Sequence, residues 1–275
     1  MQGFSLARKV DVRYRSNLWL VIVTLLVTAT AWILTGSVGH GVGLGGGFFM
    51  CWALARETDP AHDLSAFVAG GIYLLGASVY SGIDFGVLFW LLLLLRLISG
   101  ICGKTPTNLD ILSVLGLTGY LVYSRQSTLY LFLVTLALIL AWYRYGKDRR
   151  FSAAAILAGV LSLFCMFLML PRPGILFSFK FPLALLTTFS LLFLGTAHSL
   201  ELKKDHNIED DLGAPLEIRW IRLSQLFYSI AVLVLLLLEQ LTWTTYLLLF
   251  AVMAGILAFR LFLALQEKAR KKQTT

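Results

Sequence analysis

The chain predicts an all-α integral membrane protein, a polytopic helical bundle of about ten transmembrane segments with cytoplasmic N- and C-termini. Three observations carry this reading. Of 275 residues, 58% are hydrophobic and 14% charged, with a mean hydropathy of +0.80, against about 25% charged in a soluble domain. Apolar runs near the ~20 residues that a membrane-crossing helix needs recur along the whole length. With the N-terminus inside and the segments alternating, 20 of the 23 Lys and Arg residues fall on the inner side, and only Arg125, Arg172 and Lys180 fall outside. That asymmetry orients membrane proteins.

The segments read as 17–35, 39–55, 64–81, 84–99, 109–123, 127–143, 152–170, 177–197, 219–238 and 243–265. Residues 1–16 form a basic cytoplasmic N-terminus. Ala29-Thr30-Ala31 resembles a cleavage site, but the apolar run continues to Leu34 and further spans follow, so an uncleaved first helix is expected. Glycines run from Gly36 to Gly47 into the second segment. They suit close helix packing, with a helix broken around a ligand as the alternative. Segment 109–123 is the weakest. A re-entrant hairpin in place of two neighbouring segments would leave eight crossings and the same charge partition. Thr107 and Asp110 stand in the capping-box pattern at its start, after Pro106. Ser152 is expected to cap the seventh segment. Arg96, Lys180 and Arg260 lie near segment ends, from which a long side chain can reach the interface. Residues 266–275 form a basic cytoplasmic tail, each charge worth ~1 kcal/mol against an anionic leaflet. No polar stretch is long enough for a soluble domain, so 1–275 is one transmembrane domain, expected in the cell inner (plasma) membrane.

Several functions fall away. The net charge of +8 lies in short loops between apolar runs rather than on one face of a folded domain, so nucleic acid is not the partner; the lipid bilayer is. Cys51, Cys102 and Cys165 form no CxxC and no even framework, and read as buried small hydrophobes. No acid or histidine stands at mid-depth of a segment, which lowers a proton-driven pump.

Chemistry concentrates in two loops on the inner side. The turn Arg56-Glu57-Thr58-Asp59-Pro60-Ala61-His62-Asp63 is the densest cluster of ionisable groups in the first half of the chain. Asp59 and Asp63 are four apart, so a helix would show them on one face, where paired carboxylates suit Mg²⁺ and a substrate phosphate. The same residues fit a structural account, with Asp59 as N-cap, Pro60 at N1 and Asp63 in the first turn. The loop 199–218 holds six acids and two lysines, with Glu201 and Asp205 again four apart. His62, His198 and His206 belong to these two loops, though at no zinc spacing. Arg56 and Lys104 are the cations placed to neutralise phosphate.

Two such loops resemble those of the intramembrane polyprenyl and aromatic prenyltransferases. That family carries NxxxDxxxD at the cytoplasmic end of its second helix and a DxxxD-type motif in a later cytoplasmic loop. Asp59 and Asp63 stand where the two aspartates of the first motif would; Ala55 replaces its asparagine, and ten segments replace nine. The resemblance covers about 30 residues and implies Mg²⁺ held by Asp59, Asp63, Glu201 and Asp205 with a prenyl diphosphate. Ten short helices with both ends inside also resemble the layout of the drug/metabolite transporter superfamily, in topology alone.

Three functions follow as expectations: a Mg-dependent intramembrane transferase acting on a prenyl diphosphate or another lipid phosphate at the cytoplasmic face, a small-solute transporter or exporter, and a non-catalytic assembly or accessory protein. The first alone uses the clustered acids and histidines.

Overall fold

The computed structural model describes residues 4–8, 11–77, 82–169, 210 and 212–273. Among them are nine α-helices: α1 (Arg15–Thr35), α2 (Val38–Thr58), α3 (Asp63–Ala77), α4 (Phe85–Ser99), α5 (Asn108–Arg125), α6 (Leu129–Arg144), α7 (Arg149–Met169), α8 (Ile218–Leu237) and α9 (Trp243–Gln273). They overlie nine of the ten expected segments; segment 177–197 lies outside the described residues. Five of them, α1, α2, α7, α8 and α9, are long and apolar enough to cross a membrane. The helices α3, α4 and α6 are apolar but only 15 or 16 residues long, about 23 Å at ~1.5 Å per residue.

The chain divides into two compact units. The first holds residues 4–8 and α4 to α8. Its axis is α4, which packs on α5, α6 and α8. The unbroken run Trp90 to Leu95 is at most 3% exposed, as a helix apolar on every side must be. Trp90 Nε1 donates to Thr118 Oγ1 of α5 at 2.9 Å, and its ring meets Tyr130 of α6 edge-on at 5.3 Å. The end of α4 needs Gly100, whose φ of +62° only glycine adopts without strain. Beside it lies the Arg144 guanidinium, 5.5 Å from the ring centres of both Tyr145 and Trp220.

The expected capping box opens α5. Thr107 accepts from the Asp110 N–H, and the Asp110 carboxylate accepts from the Thr107 N–H at 2.6 Å. Asp110 also holds the N-terminal segment: its Oδ1 accepts from the Ser5 and Leu6 N–H groups at 2.9 and 3.1 Å, and its Oδ2 from the Ser5 hydroxyl at 2.6 Å. Arg96 Nη1 donates to Leu6 O at 3.0 Å, so Arg96 binds protein backbone in addition to any approach to an interface. Ser152 does not cap α7. The helix begins three residues earlier, and Asp148 accepts from the Arg150 N–H at 2.9 Å while the Arg150 side chain bonds to it. Those bonds hold the exposed Asp148 carboxyl below its ordinary range. The Ser152 hydroxyl donates instead to Arg149 O.

The second unit holds α1, α2, α3 and α9. Here α1 packs on α2, α2 on α3, and α9 on α2 and α3. The glycine run does not break α2, which is helical from Val38 onward. It sets close contacts. A Cβ on Gly41 would lie 2.6 Å from Thr28 O of α1, one on Gly45 would meet the Thr28 side chain, and one on Gly47 would meet the Tyr73 hydroxyl of α3. Small residues four apart let helix backbones approach in this way. On α9, a Cβ on Gly255 would strike the backbone of Ala69. Gly255→Ala is therefore expected to lower stability by about 1–3 kcal/mol through forced separation of α3 and α9. Gly71→Ala, where a Cβ meets nothing within 4 Å, is expected to leave the detergent unfolding midpoint unchanged or higher. Equal midpoints for the two variants would contradict this packing.

Candidate functional site

The α2–α3 turn is shaped by Pro60. A proline disfavours helical backbone in the residue before it, and Asp59 leaves the helix at φ −130°, ψ 74°. Its N–H still donates to Ala55 O at 2.8 Å, so Asp59 closes α2. It does not start α3: Pro60 and Ala61 form a turn, and α3 begins at Asp63. The expected N-cap role of Asp59 is replaced by a long-range one. Its carboxylate turns toward α9.

Asp59 is fully buried. Its Oδ1 accepts from Arg260 Nη2 at 3.1 Å, and His62 Nδ1 lies 3.3 Å from the same oxygen. The His62 ring packs on Phe259, centroids 5.6 Å apart. Asp63 is partly open, with its side chain 29% exposed, and pairs with Arg56 through Oδ1. Its Oδ2 accepts from the Tyr14 hydroxyl at 2.9 Å. Arg56 Nη1 also donates to Pro60 O at 3.0 Å, tying the turn to the last turn of α2, and its guanidinium lies 6.0 Å from the Trp52 ring centre. Glu57 is 1% exposed, so two carboxylates of this region, Glu57 and Asp59, leave water beside the largely buried guanidiniums of Arg56 and Arg260.

The structure thus brings together Arg56, Asp59, His62 and Asp63 of the sequence-defined turn. Lys104 is exposed and belongs to the other unit. Glu201, Asp205, His198 and His206 lie outside the described residues. Two participants escaped the sequence reading. Tyr14 gave no signal there. Arg260 stood there only as a cation near the end of an apolar segment, expected to reach the interface; its side chain is instead 11% exposed and bonded to Asp59.

The chain matches no family model, no curated protein and no solved structure. The chemistry of this site therefore rests on its own geometry. Carboxylate oxygens suit Mg²⁺, and Asp59 and Asp63 supply them from either end of one five-residue turn. Each is engaged by a guanidinium, so a metal ion there would have to displace Arg260 from Asp59 and Arg56 from Asp63. No group of three or more His, Cys, Asp or Glu side chains among the described residues is arranged to hold a metal unaided.

Proposed function

We propose that the protein is a multi-pass protein of the cell inner membrane, with about ten crossings and cytoplasmic termini, and that the α2–α3 turn receives the Mg²⁺–diphosphate end of a lipid-soluble substrate for group transfer. The observation that carries this is the pair of ion pairs, Asp59–Arg260 and Arg56–Asp63, at one helix junction. Burying a pair such as Asp59–Arg260 costs several kcal/mol per ion, and well-packed apolar residues of the same volume are often as stable or more so. Stability alone is thus a weak reason for this chain to hold them.

A metal–diphosphate unit carries both signs and could exchange with both pairs at once. Asp59 and Asp63 would take the metal, while Arg56 and Arg260 would turn to the phosphate oxygens. Bound there, Mg²⁺ would neutralise charge on a diphosphate leaving group. Neither ion alone offers that exchange, because each would leave one set of buried charges without partners. Glu201 and Asp205 remain the second carboxylate pair of this reading.

A second reading, a non-catalytic accessory protein, is favoured by one observation: the two aspartates already have partners within the chain. A thermal-shift experiment on detergent-purified protein separates the two. The midpoint is expected to rise only when Mg²⁺ and a prenyl diphosphate are present together, by about 2.7 kcal/mol of added stability at a hundredfold excess over Kd. The rise should vanish in Asp63→Asn. No rise in any combination would leave the ion pairs as a structural junction.

A further inference from the structure

The first unit holds a half-buried guanidinium, that of Arg222, which the α2–α3 site does not use. Arg222 lies on the second turn of α8, beside a buried face made of Ile221, Ser224, Gln225 and Tyr228. Its Nε and Nη2 atoms are both shielded from water and have no hydrogen-bond partner. A guanidinium does not lose its proton in a protein. The charge therefore stays, with two of its donor atoms left unmet. The first turn of α8 contains no acid, and the Glu217 side chain makes no bond to it. Arg219, one turn before Arg222, has its guanidinium over Trp220 at 5.5 Å and adds a second positive charge.

The identity of the two bare atoms is informative. Nε–H and one Nη2–H point the same way along one edge of the guanidinium plane, the fork that grips two oxygens of a phosphate or carboxylate at once. A lysine at this position would present a single point charge instead. With α8 read as a crossing, Arg222 is four residues from its start, about 6 Å along the axis at ~1.5 Å per residue. That is headgroup depth.

We propose that Arg222 anchors a phosphate-binding site at the head of α8, with the phosphate held by two parallel N–H bonds and Arg219 adding charge. This site is in the other unit from the α2–α3 turn and stands whether or not the turn binds a diphosphate. The phosphate could arrive on an anionic phospholipid or as the free ion.

The test uses the full chain in nanodiscs of phosphatidylcholine, with and without phosphatidic acid, followed by release into zwitterionic detergent and native mass spectrometry. A parallel series adds inorganic phosphate. Wild type is expected to retain one phosphate group, and Arg222→Gln to bind it at least about tenfold more weakly. Arg222→Lys, which keeps the charge and loses the fork, should fall between them. Arg270→Gln, in the basic tail, should match wild type. Retention of phosphatidic acid but not inorganic phosphate identifies a lipid site, and the reverse identifies a free-ion site. Equal retention by wild type, Arg222→Lys and Arg222→Gln would overturn the proposal. So would retention in none of them with a higher unfolding midpoint for Arg222→Gln, which would make the charge merely a cost.

Discussion

Asp110→Ala is expected to destabilise the chain by about 3–5 kcal/mol, the cost of breaking a buried charged network. Asp110 is fully buried, and its two oxygens accept from the backbone N–H groups of Ser5, Leu6 and Thr107 and from the hydroxyls of Ser5 and Thr107. Removing it strips the α5 cap and releases the N-terminal segment together. An orphaned buried N–H costs about 1–3 kcal/mol by itself. Asp110→Asn keeps the shape and one acceptor oxygen, and should cost less than Ala. Two readouts check this: the unfolding midpoint in detergent, and trypsin cleavage after Arg8, which should accelerate in Asp110→Ala before global unfolding. A midpoint unchanged beside unchanged cleavage would show that Asp110 ties nothing down.

Arg260→Leu should cost about as much, 3–5 kcal/mol, because it leaves the Asp59 carboxylate buried beside His62 without its guanidinium. Asp59→Leu should cost a similar amount by removing the carboxylate that accepts from Arg260 Nη2. The double variant removes both charges, and its loss should fall short of the sum of the single losses by about 1–3 kcal/mol, the coupling expected of residues in direct contact. Additive losses would mean that the pair does not interact in the folded protein.

These two networks show what the sequence made legible. Apolar length located the nine described helices, because that requirement acts within a single segment. The α5 cap was equally visible, since Thr107 and Asp110 are three residues apart. The partners of Asp110 were not: Ser5 lies 105 residues away, and a capping residue with spare acceptor capacity looks no different from one without it. The same limit hid the α9 partner of Asp59, 201 residues distant. Asp59-Pro60 satisfied the local rule for a helix start, yet the restriction that Pro60 places on Asp59 ended α2 instead, and the buried guanidinium determined where the carboxylate turned. The Gly41–Gly47 run announced close contact but not its direction, which depends on which faces of α1 and α3 stand opposite.

The central claim is that the α2–α3 turn exchanges its internal ion pairs for a ligand bearing both signs. Isothermal titration of detergent-purified protein with Mg²⁺ alone, with a prenyl diphosphate alone, and with the diphosphate in saturating Mg²⁺ tests it directly. The account expects no site-specific binding in the first two titrations and one diphosphate bound in the third, with binding lost in Asp63→Asn. Tight binding of the diphosphate without metal, or none with it, would contradict the exchange.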